Sequence, residues 1–123
     1  MYLLTSWRCR QPSVDGVELD EDPVIKIKSG KIQKKPLLIG ANRNEASYFI
    51  CGNKAVANFS AWEYVAFVFN EFGYNEGILA LRKYPVKNEQ TAEQALINLE
   101  TDYTFKCPST LVGAIRSRFA TKN

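Results

Sequence analysis

Histidine is missing from all 123 residues. A Ser-His or Cys-His nucleophile pair therefore cannot be assembled from this chain alone, and the usual His-bearing zinc sites are excluded. Cysteine is sparse, with only Cys9, Cys51 and Cys107. An odd number at such wide spacing fits neither a zinc site nor a closed disulfide framework, which leaves buried or free thiols. No apolar run approaches the roughly 20 residues that a membrane-spanning helix needs. The apolar start, Met1–Trp7, is cut short by Arg8 and is too brief for a signal-peptide core, so no export address is expected and the compartment stays open. Internal repeats and low-complexity tracts are lacking too. A net charge of +3 gives no argument for nucleic acid. The acidic cluster Glu18, Asp20, Glu21 and Asp22 precedes a basic stretch over 26–35, and neighbouring runs of opposite sign read as solvated surface.

What is present is an ordinary globular composition, 46% apolar and 24% charged, in a length that suits one small domain. The densest information lies in Pro36–Ile50. Leu37-Leu38-Ile39 is a short apolar run stopped by Gly40, and a polar turn, Asn42-Arg43-Asn44, follows. That pattern predicts a buried strand over Pro36–Gly40. Glu45 then stands on the loop leaving it, ahead of a helix beginning at Ala46–Ile50. A sheet-anchored loop is where α/β enzymes place working side chains, because the strand fixes the backbone.

Elsewhere the punctuation is helical. Asp22-Pro23 and Gly30 bracket a helix over Pro23–Ser29, with Val24, Ile27 and Ile25 facing inward. Ser60-Ala61-Trp62-Glu63 is a capping box that opens a helix over Ala61–Phe72, ended by Gly73. Its stripe of Trp62, Val65, Ala66, Phe69 and Phe72 predicts a core face. A helix over Asn75–Lys83 is halted by Tyr84-Pro85. Thr91-Ala92-Glu93-Gln94 is a second capping box, followed by Ala95, Leu96 and Leu99. The last helical pattern puts Leu111, Val112, Ile115 and Phe119 on one face. Val14-Asp15-Gly16-Val17 is a turn, beside a possible short strand at Ser13–Val17. The expected class is α/β, helix-rich, with one or two strands and about five helices. One strand cannot make a sheet, so most of the sheet would lie elsewhere.

Taken in order, several pieces resemble the type-B carboxylesterase (cholinesterase-like) family of the α/β-hydrolase fold. They are Pro12-x-Val14-Asp15-Gly16, Pro23…Ser29-Gly30, Pro36–Glu45 with its P-L-L-I-G-x-N-x-x-E pattern, Tyr84-Pro85, and Thr101-Asp102…Phe105-x-Cys107-Pro108. The resemblance spans nearly everything after Gln11. Asn44 and Ala46 depart from it, standing where an acid and a glycine are usual. It implies that Glu45 is the acid of a Ser-Glu-His triad acting on carboxylic esters by acyl transfer to water. The nucleophile elbow G-x-S-x-G and the histidine are not in the chain, so residues 1–123 would be a partial hydrolase domain, inactive alone. It would be a truncated, split or remnant product whose partner is the missing remainder of the domain. The resemblance calls for no cofactor and no metal. It also leaves Cys107 as a thiol whose disulfide partner lies downstream, and it implies secretion in many members, where the sequon at Asn58 becomes usable. Two other readings stand beside it: a non-catalytic cholinesterase-like adhesion or binding protein, and a stand-alone helical interaction module.

Overall fold

The computed structural model describes residues 13–33, 35–51, 59–86 and 89–120. Five α-helices follow one another among them: α1 (Pro23–Lys28), α2 (Ser47–Cys51), α3 (Ala61–Lys83), α4 (Glu89–Glu100) and α5 (Cys107–Ala120). A π-helical segment, Thr101–Lys106, joins the end of α4 to the start of α5. No strand occurs among the described residues, which corrects the expected α/β class. Residues 36–40 take no regular secondary structure and belong to no ladder. A strand exists only where a neighbour pairs with its N–H and C=O groups, and no such edge is offered among the described residues. Ser13–Val17 likewise forms an irregular bend and no strand.

The chain divides into two compact units. One comprises residues 1–39 and 110–123. Within it, Asp15 Oδ1 accepts N–H bonds from Val17, Glu18 and Leu19 at 2.9–3.0 Å, and Gly16 carries the positive φ that closes the turn. These N–H groups, Val17 first, hold the Asp15 carboxyl below its ordinary value. Asp22 caps α1 by accepting from Val24 and Ile25 N–H, and Pro23 occupies the first turn. Helix α1 ends one residue before the expected Ser29, which instead serves as the C-cap. Its inward face is weaker than the pattern predicted. Val24 and Ile25 are exposed, and only Ile27 is half-buried. Gly30 has φ +75°, and a Cβ there would stand 2.8 Å from Phe119 Cε1. Both facts demand glycine. Arg116 Nη2 donates to the Lys35 carbonyl at 2.7 Å.

The other unit spans residues 40–109 and holds the main core. Ser60 and Glu63 form the predicted capping box at the start of α3, with Glu63 N–H to Ser60 Oγ at 3.2 Å and Ser60 N–H to Glu63 Oε2 at 2.9 Å. The interruption expected at Gly73 is present: that residue is non-helical, with φ 72° and ψ −174°, and divides α3 into two helical stretches. The buried face differs from the aromatic stripe. Tyr64 and Val68, four residues apart, are fully buried, whereas Trp62 is 77% exposed. Opposite them α4 buries Ala92, Ala95, Leu96, Ile97 and Leu99. Helix α4 begins at Glu89, so Thr91 lies inside it and is not the cap that its motif suggested. Ala46 and Ile50 close the cluster, with Phe49 stacked on Phe105.

Replacing Gly30 by alanine should destabilise its unit by more than the ~1 kcal/mol typical of a left-handed backbone position, because the Phe119 contact adds to the backbone strain. Urea unfolding of Gly30→Ala, set beside Gly16→Ala (positive φ but open space), measures the added steric part.

Candidate functional site

Glu45 lies in the turn before α2, half-buried, inside the 40–109 unit. Its Oε2 accepts the Asn42 N–H at 2.7 Å. The bond folds the polar turn back on itself and orients the carboxylate. The next residue, Ala46, is buried, and its N–H donates to Thr101 Oγ1 at 3.1 Å, a contact across 55 positions of sequence. Ser47 N–H to Asn44 C=O and Ile50 N–H to Ala46 C=O complete the entry into α2. Glu45 is thus held on both sides, by Asn42 and through the buried Thr101. Sequence reasoning placed Thr101 only in a motif. Nothing in its neighbours showed that its hydroxyl would serve this turn.

Beside Thr101 lies a polar group that the sequence did not bring together. The Tyr84 hydroxyl donates to Asp102 Oδ2 at 2.5 Å. Lys106 Nζ is 3.1 Å from Asp102 Oδ1, and Lys83 Nζ is 3.7 Å from Oδ2. Lys83 also lies over the Tyr84 ring, 5.1 Å from its centroid. Tyr64, fully buried, donates its hydroxyl to the Tyr84 carbonyl at 3.0 Å. The Tyr84 hydroxyl, with Lys106 and Lys83, holds the Asp102 carboxyl below the usual range. Burial, then the Asp102 bond, raises the Tyr84 phenol. Contact with Tyr84, then with Asp102, raises Lys83. Burial pushes Tyr64 up to about 12. The Asp102–Lys106 spacing of four was the one visible hint.

Cys51 and Cys107 are free and exposed. Cys51 Sγ donates to Glu93 Oε1 at 3.2 Å, and that bond raises the thiol above its ordinary value, which suppresses the nucleophilic thiolate. Cys9 and Asn58 lie outside the described residues. Among the described residues no cluster of three or more His, Cys, Asp or Glu could hold a metal ion. No described helix is long and apolar enough to cross a membrane.

No protein-family model matches the chain. No solved structure matches it either. A protein of Dictyostelium discoideum named Crystal protein is similar, 32% identical over 108 residues, which is 86% of this chain. The chain spans about a fifth of that relative's length, 19%. The resemblance to type-B carboxylesterases is therefore corrected. No family model supports it, and the described residues are helical with none of the strands that an α/β-hydrolase segment requires.

Two titrations follow from the polar group. Asp102 is below its unfolded value in the folded chain, so it stabilises the fold above about pH 4, and that contribution disappears as pH falls through the folded value. Asp102→Asn should be less stable at pH 7 and should lose part of the acid dependence in urea unfolding between pH 7 and 2. At the alkaline end Tyr64 resists ionisation up to about 12, while an unfolded tyrosine ionises near 10. Stability should fall as pH rises from about 10 towards 12, and Tyr64→Phe should lessen that slope.

Proposed function

We propose that the chain is a non-catalytic helical interaction segment of a longer polypeptide, docked on the remainder of that polypeptide through the apolar run Leu37-Leu38-Ile39. The observation that carries this reading is Leu38, whose side chain is wholly exposed at 101%, between Leu37 at 49% and Ile39 at 42%. The backbone there joins no ladder among the described residues. An exposed apolar run outside any ladder can take up a partner strand, and covering it removes apolar surface from water. The length of the Crystal protein, of which this chain spans 19%, supports a docking surface supplied by other parts of the same polypeptide.

A second reading concerns Glu45. It is the orienting acid of an ester-hydrolysing site whose serine and histidine are contributed from outside residues 1–123. The Asn42 N–H bond to Oε2 favours it, since an orienting acid needs a fixed carboxylate before it can hold an imidazole in one tautomer. The substrate class would be carboxylic esters. Without a histidine, Glu45 has no proton transfer to direct, so the chain by itself is inert.

Leu38→Lys should leave the thermal midpoint within about 2 °C of the parent, because an exposed residue contributes little to stability. In the longer polypeptide the same change should raise amide hydrogen exchange over residues 36–40, which docking protects. Exchange there that is already as fast in the unaltered longer polypeptide would remove the docking reading. For Glu45, the pure chain should show no turnover of p-nitrophenyl acetate above buffer. Turnover that Glu45→Gln abolishes would show instead that the chain is catalytic alone.

A further inference from the structure

Within the unit formed by residues 1–39 and 110–123, the 110–120 part of α5 meets the stretch after α1 at three points. A Cβ added at Gly30 would stand 2.8 Å from Phe119 Cε1, so the ring already fills the place of a side chain there. Arg116 Nη2 donates to the Lys35 carbonyl at 2.7 Å. A Cβ added at Gly113 would stand 3.6 Å from Ile39 Cγ2. Positions 30, 35 and 39 thus meet 119, 116 and 113 in turn. The stretch runs opposite in direction to α5, along residues three apart, which form one ridge of a helix surface. Leu38 stands between the last two anchors and is wholly exposed.

The two anchors beside Leu38 have separate causes. Pro36 follows Lys35, and a proline confines the residue before it to the β or polyproline region. The direction of the Lys35 carbonyl is therefore narrowed before Arg116 reaches it. Arg116 is half-buried, and the charge on its guanidinium strengthens the bond that it donates. Gly113 lies inside a helix, where glycine is disfavoured. Its lack of a side chain leaves room for Ile39. Alanine would still fit at 3.6 Å, whereas a longer side chain would displace Ile39. The run Leu37-Leu38-Ile39 is thus bracketed, with its approach held by Arg116 and its end seated at Gly113. A segment fixed before it meets a partner loses less freedom on docking.

We propose that Arg116 is a positioning residue for docking: through the Lys35 carbonyl it holds residues 35–39 against α5, so that Leu38 is presented in one place. The proposal rests on the docking reading of the 37–39 run and adds what fixes that run. It is independent of any role for Glu45.

The test begins with ¹⁵N relaxation of the full chain. Backbone order parameters of Leu37, Leu38 and Ile39 should match those of α5, at about 0.85. Arg116→Met keeps an unbranched apolar stem and removes the donors. It should lower those three values below about 0.6 and leave α5 itself ordered. Arg116→Lys, which keeps a charged donor, should restore part of the difference. Gly113→Ala should leave the three values as they are, whereas Gly113→Leu should lower that of Ile39. Parent values already below about 0.6, or values that Arg116→Met leaves unchanged, overturn the proposal while the docking reading stands. The docking step is read separately, in the longer polypeptide. There Arg116→Met should speed amide exchange over the run about tenfold, as loss of one charge-assisted hydrogen bond implies. Protection that persists unaltered overturns the role of Arg116 in docking. Absence of protection in the unaltered polypeptide removes the docking reading and the proposal with it.

Discussion

One buried hydroxyl carries much of the 40–109 unit. Thr101 is entirely enclosed, and its Oγ1 accepts the N–H of Ala46, itself buried. A peptide N–H taken from water without a partner costs about 1–3 kcal/mol, a large fraction of the margin by which small domains are stable. The hydroxyl therefore decides where the turn carrying Glu45 can sit against α4 and the π-helical segment. Asn42 then fixes the carboxylate from the other side. The next residue along, Asp102, gathers Tyr84, Lys83 and Lys106, so two adjacent positions tie the 40s turn and the end of α3 to the same segment.

Much of the local structure was legible because it depends on neighbours in sequence. Asp22-Pro23, Asp15-Gly16 and Ser60…Glu63 each satisfy backbone N–H groups within four residues, and each formed as written. The stop expected at Gly73 rests on the same local logic, and its non-helical backbone interrupts α3 at that residue. Thr91 misled because a capping motif competes with helix propagation, and α4 starts two residues earlier.

Longer-range features were not legible. The apolar content of Leu37-Leu38-Ile39 predicts burial as a strand, yet burial depends on whether a partner is there, and the sequence of one segment does not contain that information. The aromatic stripe of α3 is met in part. Phe72 packs against the core, but Trp62 is 77% exposed and Tyr64 and Val68, outside the stripe, take the fully buried positions. The site followed the same division. Glu45 was visible as a lone acid in a turn, while its support by Thr101 spans 55 residues and has no local signature.

The kink at Gly73 has a consequence for cooperativity. A left-handed residue interrupts the i to i−4 ladder, so the 23-residue α3 is two shorter helices of about twelve and ten residues in energetic terms. Helices of that length are marginal in water by themselves and take their stability from what they touch. The first half draws on Tyr64 and Val68 in the core, and the second on Gly77, Ala80 and Leu81 together with the Tyr84–Asp102 clasp. Each half is thus held by contacts of its own, which makes Gly73 a natural boundary at which local opening of one half can stop.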